Sequence, residues 1–305
     1  MSTLLVFPGQ GAQRVGMLQG LPVAFLQQCS DVLGEPVEHL DSAAALRSTR
    51  AVQLCLLIAG VEAWQRLQQQ GGQADYVAGL SIGAYPAAVA AGSLAFEDAL
   101  RLVNLRGHLM HDAHPQGYGM TAILGLEVGE LEPLLRQAQD RGEAVYLANI
   151  NATRQLVVSG ADAAMARLGE AARERGATCA RRLAVSTPSH CMLLQAQAQQ
   201  LAEAMAEVAW QAPRLRYLSG STARLLRDVG ALRDDLAFNM CRTIDWAGTL
   251  VGAYERGVRL QVELPPGAVL TGLARSVFTE GRVAAFEATR LDSLVALMRD
   301  EQRRA

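Results

Sequence analysis

Lysine is absent from this 305-residue chain; all 28 of its basic residues are arginine. That excludes a lysine Schiff base, and with it ordinary pyridoxal-phosphate chemistry. It excludes a P-loop and the S-x-x-K serine hydrolases, both of which need a lysine. A basic excess is missing too, since the formal net charge is −2, so no nucleic-acid surface is expected. No apolar run is long enough to span a bilayer. The first residues lead straight into a short apolar stretch with no basic region or cleavage site, so no secretory signal is expected and the expected location is the cytoplasm. The cysteines are few (Cys29, Cys55, Cys179, Cys191 and Cys241) and none forms a C-x-x-C pair. Free, buried thiols are expected, with neither a disulfide framework nor a zinc site.

Half of the residues are hydrophobic, enough for one large domain or a large and a small one. Strand-like and helix-like patterns alternate throughout, which defines an α/β chain. Strands are expected at 3–7, 76–80 and 260–264, and helices at 51–69, 96–112 and 190–208, with Ser93 as a possible cap of the second helix. Between residues 118 and 187 the rhythm changes. Strand 120–124, helix 128–141, strands 145–150 and 156–159, helix 163–175 and strand 179–185 follow one another. That β-α-β-β-α-β order is the split motif of a ferredoxin-like unit. The chain therefore reads as a large domain, residues 1–117 and 188–305, interrupted by a small ferredoxin-like subdomain, residues 118–187.

Within this frame, one turn carries the strongest chemical signal. Gly79-Leu80-Ser81-Ile82-Gly83 joins the apolar stretch 76–78 to the alanine-rich run 86–91. A G-x-S-x-G turn between strand and helix forces its serine into a strained conformation and exposes Oγ at a helix N-terminus. Such a serine suits covalent acyl transfer; the plainer alternative is a tight turn with an incidental serine. A serine nucleophile needs a base, and the chain offers five histidines. His39 lies in a polar stretch and is expected to be exposed. His108, His111 and His114 resemble a metal set, but His114 falls off the helical face of the other two. Histidines decorating a helix C-terminus are the simpler reading, and no metal is expected. His190, in Thr187-Pro188-Ser189-His190-Cys191, lies at the junction of the two expected domains, where a cleft would form. It is the candidate base, against the alternative of an idle histidine at a helix start.

Two further segments bear on the site. Phe7-Pro8-Gly9-Gln10-Gly11 resembles a dinucleotide fingerprint, but position 14 is Arg14, where a glycine or alanine is required. A turn of that kind can instead bring an amide close to an oxyanion. Arg106, followed by Gly107 within a helix, is either a surface arginine or a bidentate clamp for a substrate carboxylate. The mid-helix glycine implies close packing there.

Taken together, FPGQGAQ at 7–13, GLSIGAYPAAVAAGSL at 79–94, ALRLVNLRG at 99–107, VSTPSHCMLL at 185–194 and PPGAVLTGLA at 265–274 resemble, in order and nearly end to end, the malonyl-CoA:acyl carrier protein transacylases. LRSTRAVQLCLLIAG, YLSGS and YERGVRLQVELPPG are most similar to the branch formed by the malonate decarboxylase epsilon subunit. The resemblance implies an α/β-hydrolase-like domain with a ferredoxin-like insert. It implies Ser81 as the acylated nucleophile and His190 as its base, with the amides of Gln10 and Ile82 as oxyanion donors. It implies Arg106 as partner of the malonate carboxylate, and Asn239 as the residue whose carbonyl orients the histidine. Leu80 and Ala84 depart from the histidine and glutamate usual in fatty-acid-synthesis members, and Leu80 would line the substrate pocket. The implied reaction needs no bound cofactor: malonyl-CoA is the donor, and the prosthetic thiol arm of a carrier-protein subunit is the acceptor. In the decarboxylase setting, other subunits of that complex would be partners. An ordinary transacylase of fatty-acid synthesis, a serine thioesterase or hydrolase, and a scaffold with a vestigial site are the alternatives.

Overall fold

The computed structural model of the chain describes residues 2–114 and 116–304; Met1, Pro115 and Ala305, at the ends of the expected large domain and after His114, lie outside the described residues. The strands, in chain order, are β1 (Ser2–Phe7), β2 (Tyr76–Gly79), β3 (Tyr118–Leu124), β4 (Val145–Ala152), β5 (Gln155–Ala161), β6 (Cys179–Arg182), β7 (Arg216–Leu218), β8 (Leu225–Leu226), β9 (Ile244–Asp245), β10 (Val258–Glu263) and β11 (Arg282–Ala285). They form two sheets, so the α/β class holds. One sheet has the order β11-β10-β1-β2-β7-β8, parallel throughout except for its last pair. The other has the order β6-β3-β5-β4-β9.

Parallel strands are buried on both faces and therefore read as continuous apolar runs. β1 illustrates this: Leu4, Leu5, Val6 and Phe7 have no exposed surface. One face of the large sheet packs on a core shared with helices Thr49–Gln69, Ala84–Ala90, Phe96–Ala113 and Gln195–Ala206. The opposite face carries a second cluster with helices Trp246–Glu255 and Val269–Ala274. Parallel pairing places the loops after β1, β2, β7 and β10 along one edge, where ligands of open α/β sheets bind.

The small sheet is antiparallel within β3–β6. One face packs its own core against helices Val128–Asp140 and Asp162–Glu174. The other face turns Met120 and Val157 toward the large sheet's loops. β9, from the far side of the sequence, adds a parallel strand to β4. Two residues carry no periodic signal, so this stitch is not legible in the sequence. The pairing register of β4 shifts between Leu147 and Asn149, the kind of bulge that re-aims side chains beside a site.

Three expectations need correction. The helix after residue 95 is capped by Ala95, not Ser93. Ser93 belongs to the preceding turn, where its N–H donates to the Ala88 carbonyl, while Glu97 and Asp98 supply the first-turn acidity. No helix starts at residue 190: a single turn at Met192–Leu194 precedes the helix Gln195–Ala206. The reason is local, since His190 is held at φ +64°. Cys179 is only half-buried, because it lies on the edge strand β6; the other four cysteines are buried and all five are free. Among the described residues, no helix is long and apolar enough to cross a membrane, and no cluster of histidines, cysteines and carboxylates could hold a metal ion.

Candidate active site

The elbow is built as its glycines require. A Cβ on Gly79 would overlap the Gly83 carbonyl, and a Cβ on Gly83 would overlap the Phe7 carbonyl. Both contacts are with backbone, which cannot yield. Gly83→Ala should therefore destabilise the chain by about 3 kcal/mol or more, read as a lower urea midpoint; an unchanged midpoint would mean that the turn is not packed this way. The same tightness places Ser81 at φ +57°, a conformation that costs a non-glycine residue about 1–2 kcal/mol.

Ser81 Oγ opens into a cleft of about 320 Å³ between the two sheets. Gln10, Gly11, Leu80 and His190 line it from the large sheet's side, and Met120, Asn149 and Val157 from the small sheet's side. His190 and Ser81 thus share one cleft, as expected. Among the described residues, the hydrogen bond of Ser81 Oγ is with Arg106 Nη2, at 3.3 Å, rather than with the histidine.

His190 is fixed at both ends. Its backbone N–H donates to the Met240 carbonyl at 2.7 Å, and its ring Nδ1 lies 2.6 Å from the Asn239 carbonyl oxygen. A carbonyl only accepts, so Nδ1 carries the proton and Nε2 of the neutral ring keeps a free lone pair. Burial pushes the ring's pKa down to about 4; the Asn239 carbonyl opposes that shift and the nearby Arg106 charge adds to it. At neutral pH the ring is an unprotonated base. The acidic limb of serine acylation is therefore expected with its midpoint near pH 4 rather than 6.5, because activity is lost only as Nε2 takes a proton. Single-turnover rates from pH 3 to 8 check this; a midpoint near 6.5 would show a solvated histidine.

Arg106 is not a surface residue: none of it is exposed. Close packing at Gly107 holds as expected, since a Cβ there would lie 2.5 Å from Arg50 Cα. Arg106 Nη1 donates to Gln53 Oε1 at 2.6 Å, and Nη2 donates to Asn239 Oδ1 at 3.1 Å. Its Nε is buried without a hydrogen-bond partner among the described residues. None of the ion pairs among the described residues includes it. Burial lowers its pKa, yet a guanidinium stays charged in a protein. The result is a buried cation beside Ser81 with neutral partners and one idle donor. Asn239 joins all three groups: its Nδ2 also donates to the Ser81 carbonyl at 3.3 Å.

Gln53 escaped the sequence reading. A glutamine within the apolar stretch LCLLIAG and its neighbours was the available signal, because a buried amide needs a partner. Asn149, Asn151 and Arg181 also line the cleft; only the pairing of their strands, with its register shifts in β4, decides which side chains face inward. The remaining histidines lie outside the site. His39, His108 and His111 are exposed, and His114 Nε2 contacts the Leu193 carbonyl at 3.2 Å.

Comparison with known proteins identifies the family. The acyl transferase domain family matches residues 4–304. The malonyl CoA-acyl carrier protein transacylase of Salmonella typhimurium is 35% identical over 283 residues, covering 89% of this chain and 91% of the relative. The protein of that name from Bacillus subtilis is 30% identical, covering 89% of each. The solved malonyl CoA-acyl carrier protein transacylase of Coxiella burnetii is 32% identical with a TM-score of 0.92, covering 98% of this chain and 97% of that one. A malonyl-transacylase solved in complex with a type II PKS acyl-carrier protein is 34% identical with a TM-score of 0.90, covering 98% and 100%. The chain belongs to the acyl transferase family. It is an enzyme of the acyltransferase class.

Proposed function

We propose that this chain is a malonyl-CoA:acyl carrier protein transacylase, moving malonyl through a Ser81 ester by ping-pong transfer. The observation that carries the reading is the buried Arg106, without a carboxylate partner among the described residues and 3.3 Å from Ser81 Oγ. A substrate bringing its own carboxylate next to its thioester would complete that pair. The names of the relatives support the same donor and acceptor.

In this reading Ser81 Oγ attacks the thioester carbonyl while His190 Nε2 takes its proton. The amides of Gln10 and Ile82 hold the oxyanion. The C–S bond breaks, the CoA sulfur leaves with the proton from His190, and malonyl remains on Ser81. The carrier's thiol then attacks the ester and the steps reverse. Asn239 keeps His190 in the required tautomer. Leu80 lines the cleft beside the reacting carbon. No bound cofactor takes part, and the location in this reading is the cytoplasm.

We read the large and small units as α/β-hydrolase-like and ferredoxin-like, with boundaries at 1–117 with 188–305, and at 118–187. The order β6-β3-β5-β4 in the small sheet and the helices between its strands support the second name.

The relatives' names specify acyl carrier protein, which favours the ordinary carrier of fatty-acid synthesis over the carrier subunit of a malonate decarboxylase. Leu80 and Ala84 are what keeps the decarboxylase carrier, and the subunits around it, as a second reading. Intact-mass measurement after mixing with malonyl-CoA, and separately with acetyl-CoA, tests the proposal. A malonyl-mass adduct with little acetyl adduct is expected, discharged by the acceptor carrier. Free CoA with no adduct would point to a thioesterase; neither CoA nor adduct would leave a vestigial site.

A further inference from the structure

Helix Val229–Phe238 ends at Asn239, the residue that joins His190, Arg106 and Ser81. One turn earlier stands Asp235, a carboxylate only 5% exposed. Ser219 Oγ donates to its Oδ1 at 2.6 Å, and Tyr217 OH to its Oδ2 at 3.4 Å. Both donors belong to the end of β7, which pairs with the elbow strand β2, Ala78 opposite Leu218. The packing there is tight: a Cβ on Gly220 would lie 2.6 Å from the Gly79 carbonyl oxygen. From the other side of Asp235, its carbonyl accepts the Asn239 N–H at 2.9 Å. Tyr85, in the helix after the elbow, adds a bond from its hydroxyl to the Leu236 carbonyl at 3.0 Å.

We propose that Asp235 is a positioning residue for acyl transfer, tying the end of the elbow's neighbouring strand to the helix turn that holds the Asn239 carbonyl on His190. A continuous path of hydrogen bonds then runs from β7 through Asp235 and Asn239 to the imidazole. A helix turn is stiff, so a fixed carboxylate at its start fixes the carbonyl at its end. No ion pair among the described residues includes Asp235, and the hydroxyls of Ser219, Tyr217 and Ser221 hold it at the end of the strand. Burial lifts its carboxyl to about 6, with the Ser219 hydrogen bond opposing the shift. Above that pH both oxygens are pure acceptors, matching these hydroxyl donors.

The inference rests on the acyl-transfer reading, and the two fail differently. Wild-type chain that forms no malonyl-Ser81 ester with malonyl-CoA overturns that reading and this one with it. Given the ester, Asp235→Ala is expected to slow single-turnover acylation by about tenfold to a hundredfold, as a misplaced catalytic group does. The dissociation constant for malonyl-CoA should stay within about twofold, since Asp235 does not line the cleft. The 15N shifts of His190 should move from the Nδ1–H tautomer toward a mixture. Asp235→Asn, whose Oδ1 can still accept from Ser219, should recover most of the rate. Ser219→Ala tests the same link without touching the helix and should give a smaller loss of the same kind. Folded Asp235→Ala and Ser219→Ala that acylate within twofold of wild type, or a slowed variant whose His190 tautomer is unchanged, would overturn the proposal.

Discussion

Ser81→Ala will form no covalent malonyl species, and transfer to carrier protein will fall by about 10⁴-fold or more, the scale on which serine enzymes lose rate without their nucleophile. The variant should fold, because alanine meets the same left-handed backbone as serine and adds no volume. Its Tm should stay within a few degrees, so the lost rate is not lost protein. The rival nucleophiles beside the site are poor. Cys191 is buried, its thiol pushed up by that burial, and its Sγ donates to the Pro188 carbonyl at 3.3 Å. Ser189 lines the cleft, but its hydroxyl is directed to the Thr187 carbonyl at 3.5 Å, with no strained turn to present it. Peptide mapping of the wild-type adduct should therefore find the mass on 79–83. A surviving adduct in Ser81→Ala would move the chemistry to one of these two residues.

What the sequence made legible was the part written in local chemistry. The elbow's glycines, the strand before it and the helix after it all specify one turn, and Gly79 and Gly83 meet backbone where a side chain would stand. The β-α-β-β-α-β rhythm was readable because short apolar runs alternate with two helices, Val128–Asp140 and Asp162–Glu174, that each bury one apolar face. What remained hidden was fixed by distant contacts. His190 departs from helical geometry because Met240 and Asn239, fifty residues on, hold its N–H and its ring. β9 exists only because β4 is there to pair with it. Gln53 and Asp235 left a fainter trace, each a polar residue on an otherwise apolar helical stripe. Asp235 stands between Leu232 and Leu236, both fully buried, and a carboxylate at such a position implies a partner that the sequence does not name.

Arg106→Ala will remove the preference for malonyl over acetyl. In the wild-type site an acetyl thioester leaves the guanidinium with Gln53 and Asn239 as neutral acceptors and its Nε unpaired. A malonyl group adds a carboxylate to that fork. A charge-assisted pair of this kind, sheltered from water, discriminates by about 2–4 kcal/mol, or roughly 30- to 1,000-fold in kcat/KM. Without the arginine both donors meet the same neutral hole, so the malonyl rate should fall by that factor while acetyl transfer holds or rises. Arg106→Lys separates charge from shape. It keeps a cation but not the planar fork, and should recover only part of the selectivity. Competition between the two CoA esters, read as the ratio of adducts on Ser81, measures this directly. An unchanged ratio in Arg106→Ala would mean that the malonate carboxylate binds elsewhere in the cleft. Arg181 would then be the residue to test, since among the described residues it is the arginine that lines that cleft. A ratio that collapses in Arg106→Ala but not in Arg181→Ala would tie selectivity to the buried cation beside the nucleophile.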